Sequence, residues 1–199
     1  MRILAFSDLH RDRDAAQAVV DASADADVVV GAGDFATEGS GLTDTFDVLK
    51  RISAPIVLVA GNHDSLDDML RACRDWPAAH ILHGDGAVIQ GIPFFGLGYE
   101  IPAGNAVSWN QRMEESDAAV LLEPCPADAV LVTHSPPYGV ADLQRNGIHE
   151  GSRTIGEAVE RCKPRLHLCG HIHNAWGTWG TIGACPVHNL GPTVNWFNV

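Results

Sequence analysis

The chain has 199 residues, 46% of them hydrophobic, and a formal net charge of −12. A chain of this size suits one domain and buries about 70% of the surface its unfolded form exposes. The acidic balance argues against a non-specific binder of nucleic-acid backbones, yet it admits a phosphate substrate where bound cations reverse the local field. No stretch approaches the ~20 apolar residues of a membrane span, and the N-terminus, Met1 to Asp8, reads as a strand rather than a signal peptide. The five cysteines are odd in number and lack Cys-x-x-Cys spacing. They fit small buried hydrophobes in a reducing compartment, so a cytoplasmic protein is expected.

In chain order the pattern is strand, loop, helix, repeated. Arg2 to Phe6 is an apolar run fit for a buried strand, and Asp14 to Ala24 carries Ala15, Ala16, Val19 and Val20 at helical spacing. Asp27 to Gly31 predicts a second strand, Leu42 to Ile52 a helix, Pro55 to Ala60 a third strand, and Leu66 to Arg74 a helix. From His80 to Gly96, Gly84, Gly86 and Gly91-Ile92-Pro93 break the chain into short strands that read as hairpins. Tyr99 to Asn110 reads as a loop, Gln111 to Leu122 as a helix and Ala129 to Thr133 as a strand. Ser135 to Gly151 is a long irregular segment of the kind that is usually functional. Thr154 to Cys162 is a predicted helix, Arg165 to Leu168 a strand, and the tail from Ala175 onward short strands and turns. The whole predicts an α/β domain with a mixed sheet or two packed sheets.

Five of these strands deliver Asp, His or Asn just past their C-terminal ends: Ser7-Asp8-Leu9-His10, Gly31-Ala32-Gly33-Asp34, Gly61-Asn62-His63-Asp64, Thr133-His134-Ser135 and Gly170-His171-Ile172-His173. That edge is where ligands bind in open α/β sheets. Asp8 and His10 are two apart, as are His171 and His173, and in extended backbone such pairs point to one side. The glycines before Asp34, Asn62 and His171 permit close backbone approach. Imidazole, carboxylate and an amide oxygen, with no thiolate, suit a pair of Mn, Fe, Zn, Ni or Co ions, which the donor set does not tell apart. Each motif alone is weak; five in order at five strand ends are not.

The ordered set from Ser7 to His173 resembles the calcineurin-like metallophosphoesterase superfamily. His134-Ser135-Pro136-Pro137 and the run Leu166 to His171 look like its small phosphodiesterase branch. The resemblance implies a four-layer αββα sandwich with two mixed β-sheets, as a single domain over residues 1–199. It implies one metal held by Asp8, His10, Asp34 and His173, and a second held by Asp34, Asn62, His134 and His171. Asp34 then bridges the ions, with a water or hydroxide as second bridge. Two cations roughly 3.5–4 Å apart clamp the attacking and leaving oxygens of an in-line displacement. In the family the residue corresponding to His63 faces the substrate, as general acid or phosphate-oxygen donor, next to Asn62. Asp64 either orients His63 or serves the local turn. The stretch Gly33-Asp34-Phe35-Ala36-Thr37-Glu38-Gly39 lacks the second Asp and the Arg of the protein Ser/Thr phosphatase motif, which speaks against a phosphoprotein substrate.

The expectation is therefore a phosphodiesterase acting on a small or nucleotide-like phosphate ester. A phosphomonoesterase or nuclease with the same metal core, and a non-catalytic metal-binding scaffold, are the alternatives. Arg153 is either a substrate-binding phosphate fork or a first-turn surface residue. Tyr99, Trp109 and Tyr138 either stack on a base or, the favoured reading, anchor their loops. His149 is a candidate for the site entrance. His80, His83, His167 and His188, and the Trp176 to Trp179 stretch, read as packing.

Overall fold

The computed structural model describes residues 1–199. In chain order the elements are β1 (Arg2–Phe6), α1 (Arg13–Ala22), β2 (Val28–Gly31), α2 (Leu42–Leu49), β3 (Ile56–Leu58), α3 (Leu66–Ala72), β4 (Ala79–Ile81), β5 (Asp85–Ile89) and β6 (Ile92–Leu97). They continue with α4 (Glu115–Leu122), β7 (Val130–Thr133), α5 (Arg153–Cys162), β8 (Leu166–Cys169), β9 (Trp179–Ile182), β10 (Cys185–Asn189) and β11 (Asn195–Asn198). Asp12 caps α1 through the amides of Asp14 and Ala15, Ser65 caps α3, and Ser152 caps α5.

Two sheets form. The first has the order β11-β1-β2-β3-β4, parallel except for β11; the second has the order β5-β6-β7-β8-β10-β9, parallel except for its two edge strands. Alternation along each strand sorts side chains into layers. Ile3, Ala5, Val28, Val30 and Val57 meet Val130, Val132, Leu166 and Leu168 between the sheets. The opposite faces carry Leu4, Phe6, Val29 and Ile56 against α1, α2 and α3, and Phe95, Leu97 and Leu131 against α4 and α5. Three cores separate four layers, which is the αββα sandwich. All five cysteines are buried free thiols.

Two expectations need correction. The segment from His80 to Gly96 forms one hairpin, β5–β6, closed by Gln90 and Gly91 at positive φ, while β4 leaves it and pairs in parallel with β3 in the other sheet. Glycine spacing marks the turns but not the partner of each strand. The helix expected from Gln111 starts only at Glu115. Gln111 N–H donates to Asn62 O (2.8 Å) and Met113 N–H to Glu100 O (2.9 Å), which holds residues 111–113 as a strap beside the strand ends.

Candidate metal centre

The ends of β1, β2 and β3 from one sheet and of β7 and β8 from the other converge on one edge. The loops there are unusual: Asp8 (φ 55°), His10 (φ 44°), Asp34 (φ 58°) and His171 (φ 68°) all sit in the left-handed region. Non-glycine residues adopt it rarely, and such strain concentrates at functional sites. The pairs Asp8/His10 and His171/His173 therefore do not project from extended backbone, as their spacing suggested. The close approach allowed by glycine is real: a Cβ on Gly61 would strike Asp34 Oδ1, and one on Gly170 would strike Asp8 Oδ2.

One group contains Asp8, His10, Asp34 and His173, whose ligand atoms all lie within 4.8 Å of one another. His10 Nε2 is 3.2 Å from His173 Nε2 and 3.4 Å from Asp34 Oδ2. The second group contains Asn62, His134 and His171. Asn62 Oδ1 is 3.1 Å from His134 Nε2 and 3.1 Å from His171 Nδ1, and His134 Nε2 is 3.5 Å from Asp34 Oδ1. The two carboxylate oxygens of Asp34 thus face different groups. His171 and His173 also part, one to each group.

The chemistry of these atoms fits cations. His10 Nδ1 donates to Ala36 O (3.2 Å) and His134 Nδ1 donates to Ala32 O (2.8 Å). A carbonyl can only accept, so each inward Nε2 of the neutral ring carries a lone pair. In that form lone pairs of nitrogen and oxygen crowd together, an arrangement that a metal ion satisfies. The electrostatics agree. Burial opposes the charge on Asp34, but His134, His63 and His10 hold its carboxyl well below the usual range. Burial also works against protonating His134, yet Asp34 raises it to about 9.

His63 lies beside both groups and belongs to neither. Its Nδ1 accepts the Glu38 N–H (2.7 Å), which leaves the proton on Nε2, 3.9 Å from Asp34 Oδ2. Its ring stacks on Trp109 at 4.4 Å and 19°, so Trp109 braces His63 rather than waiting for a base. Asp64 is not placed for catalysis. It is fully buried and accepts from the amides of Phe35 (3.2 Å), Ala36 (2.8 Å) and Gly61 (2.9 Å), so it ties the β2 loop to the β3 loop. Of its two expected roles, the turn role is the one its contacts support.

Three supporting residues escaped the sequence reading. Ser7 Oγ donates to Asp8 Oδ2 (2.5 Å), and Trp176 Nε1 donates to the same oxygen (3.1 Å). Trp176 also packs against the His173 ring at 4.2 Å, so it braces the first group and is not merely sheet packing. Glu100 Oε1 lies 3.7 Å from His171 Nε2, and its Oε2 accepts from Asn110 Nδ2 (2.6 Å). Burial raises the Glu100 carboxyl, but contacts with His171 and Asn110 lower it further, so it is held as a carboxylate. Extending the strand-end rule to β6 would have found it, since Gly98-Tyr99-Glu100 follows that strand.

Arg153 stacks its guanidinium over Tyr138, 4.1 Å from the ring centroid, and both line a cavity that also touches His149 and His171. Tyr99 packs against His83 and anchors its loop. His188 sits between Trp179 and Phe197 as packing. His167 lies within β8, is fully buried, and contacts Thr133 Oγ1 at 2.8 Å. No helix is long and apolar enough to cross a membrane.

A family model described as calcineurin-like phosphoesterase matches residues 1–175. A UPF0046 protein of Caenorhabditis elegans is 30% identical over 173 residues, covering 77% of this chain and 58% of its own length. A probable cyclic nucleotide phosphodiesterase of Synechococcus is 25% identical over 163 residues, covering 75% of this chain and 59% of its own length. This chain thus spans little more than half the length of those two relatives. The crystal structure of TT1561 of Thermus thermophilus shares the fold, with a TM-score of 0.78 over 99% of this chain and 98% of that one at 19% identity. With five strand-end motifs on one edge and a family match over most of its length, the chain belongs to the calcineurin-like phosphoesterase family.

Proposed function

We propose that the chain hydrolyses a small phosphodiester at a pair of metal ions. Asp8, His10, Asp34 and His173 would hold one ion, and Asp34, Asn62, His134 and His171 the other. The observation that carries this reading is Asp34, whose Oδ2 faces His10 and whose Oδ1 faces His134. Such a pair, when bound, supplies positive charge to the phosphoryl oxygens and acidifies the attacking water towards neutral pH.

The chain's own groups do the rest. The neutral His63 presents Nε2–H, so it donates a hydrogen bond to a phosphoryl or leaving oxygen. A second proton on Nδ1 would break the contact with Glu38 N–H, which favours the donor role over that of a cationic acid. Trp109 fixes the plane of that ring. Asn62 lies beside His63 and within reach of the same phosphate. Arg153 meets the substrate farther out. The Synechococcus relative, a probable cyclic nucleotide phosphodiesterase, favours a diester.

The test compares bis-p-nitrophenyl phosphate with p-nitrophenyl phosphate, using metal-stripped protein reloaded with Mn²⁺. Diester preference is expected. The variant His63→Ala should lose about 10²–10³-fold in kcat while its metal content by elemental analysis stays at the wild-type level. Monoester preference would move the reading to a phosphomonoesterase, and no turnover of either would favour a non-catalytic metal-binding protein.

A further inference from the structure

A cavity of about 530 Å³ opens beside the second ligand group, with His171 in its wall. That volume falls within the range of small-molecule sites. The larger cleft, about 890 Å³ and lined by Tyr99, Asn110 and Met113, touches none of the seven ligand residues named above. An ester bound at the metal centre would extend beyond its phosphate, and the cavity at His171 adjoins the second ligand group.

Its polar groups differ in what they have left to offer. Three carboxylates line it, and each is engaged by the protein. Glu100 takes Asn110 Nδ2 and faces His171; Glu115 takes Ser152 Oγ (2.6 Å) and the amides of Arg153 and Thr154; Glu150 takes Gln144 Nε2 (2.7 Å). Arg153, by contrast, joins none of the protein's ion pairs. It opens α5, where the helix dipole disfavours a positive charge, and it lies flat on Tyr138. His149 has support of a different kind. Its Nδ1 donates to Asp142 Oδ1 (2.5 Å), and the buried Asp142 carboxylate is fixed through Oδ2 by the amides of Gly139 and Gly151, both at 2.9 Å. With Nδ1 donating, Nε2 of the neutral His149 ring carries a lone pair, so it offers a ligand an acceptor and not a donor. The backed guanidinium on the cavity wall suits an anion.

We infer that this cavity receives the substrate's arm beyond the scissile phosphate, and that it selects an arm ending in an anion, a carboxylate or a second phosphoryl group, through Arg153. This rests on the phosphoesterase reading.

The test reads binding, so it reports whether or not any ester turns over. Mn²⁺-loaded protein is titrated calorimetrically with phenylphosphonate, 3-carboxyphenylphosphonate and 3-(phosphonomethyl)phenylphosphonate. At least one of the two anion-bearing probes should bind about tenfold tighter than the parent, and which one does so identifies the anion. Arg153→Gln should pull that ratio towards one, whereas Arg13→Gln, the same charge change on α1, should keep it. Arg153 is exposed, so Arg153→Gln leaves the fold in place. Equal affinities, absence of binding included, or a ratio that survives Arg153→Gln, overturn the inference. Turnover of 4-nitrophenyl phenyl phosphate, measured on the same sample, judges the phosphoesterase reading separately.

Discussion

The two groups of candidate ligands differ in how they would hold a cation. Asp8, His10, Asp34 and His173 bring two carboxylates and stand partly open to solvent, with the His173 side chain 49% exposed. Asn62, His134 and His171 share only the carboxylate of Asp34, and His134 is 0% exposed. A second carboxylate beside a dication adds attraction on the order of several kcal/mol even at an effective dielectric of about 20. Charge therefore outweighs exposure, and the first group should bind its ion more tightly. The second group compensates by preorganisation. Ala32 O sets the tautomer of His134, and Glu100 stands behind His171. Supporting contacts should consequently matter most at the second ion.

The largest effect expected breaks both halves together. Asp34→Asn removes the charge they share, so elemental analysis after Mn²⁺ loading should find both ions depleted, and hydrolysis should fall by at least about 10²–10³-fold. One fully retained ion would show that Asp34 serves one half alone.

A smaller effect separates the halves. Glu100→Gln should weaken the second, lower-affinity event in a calorimetric Mn²⁺ titration by about 10–100-fold and leave the first event in place. Equal weakening of both events would mean that Glu100 acts on the fold rather than on His171.

The smallest effect concerns the scaffold under His134. Thr133 Oγ1 donates to Ser135 O (2.6 Å) and so accepts from His167 Nε2, which leaves Nδ1 buried without a partner. Burial, with His188 nearby, pushes His167 down to about 3, so it is neutral in the fold. The unfolded chain takes up the proton near pH 6.5 and the folded chain does not. This contribution to stability is complete above about pH 6.5 and is lost as pH falls from there towards 3, by at most about 1.4 kcal/mol per pH unit. Urea unfolding at pH 7 and pH 5 should show a shallower acid loss for His167→Gln, which retains a donor for Thr133. An unchanged loss would assign the acid sensitivity to other groups.

Much of this molecule was legible in advance because strands announce themselves locally. Val28 to Gly31 and Val130 to Thr133 read as buried strands and are, and a ligand type placed just past each one marks the edge of a sheet. The contacts that brace the site were less legible. Glu100 follows β6 and so fits the strand-end rule, but its partner His171 lies 71 positions away; Trp176 meets Asp8 across 168, and neither pairing leaves a local pattern. Asp64 sits inside the best-marked motif, and only its three amide partners reveal that it ties two loops together.

The sequence by itself determined the layered α/β class and the family, because each depends on residue type and on order along the strands, and it pointed to seven candidate ligands. The tertiary structure sorted those seven into two groups that meet at Asp34. Asp8, His10, Asp34 and His171 turn through the left-handed region, where alternation along an extended chain no longer tells a side chain's direction. It also decided that β4 joins β3, and that Arg153 and His149 share one wall, since both follow from how distant segments pack rather than from any local preference.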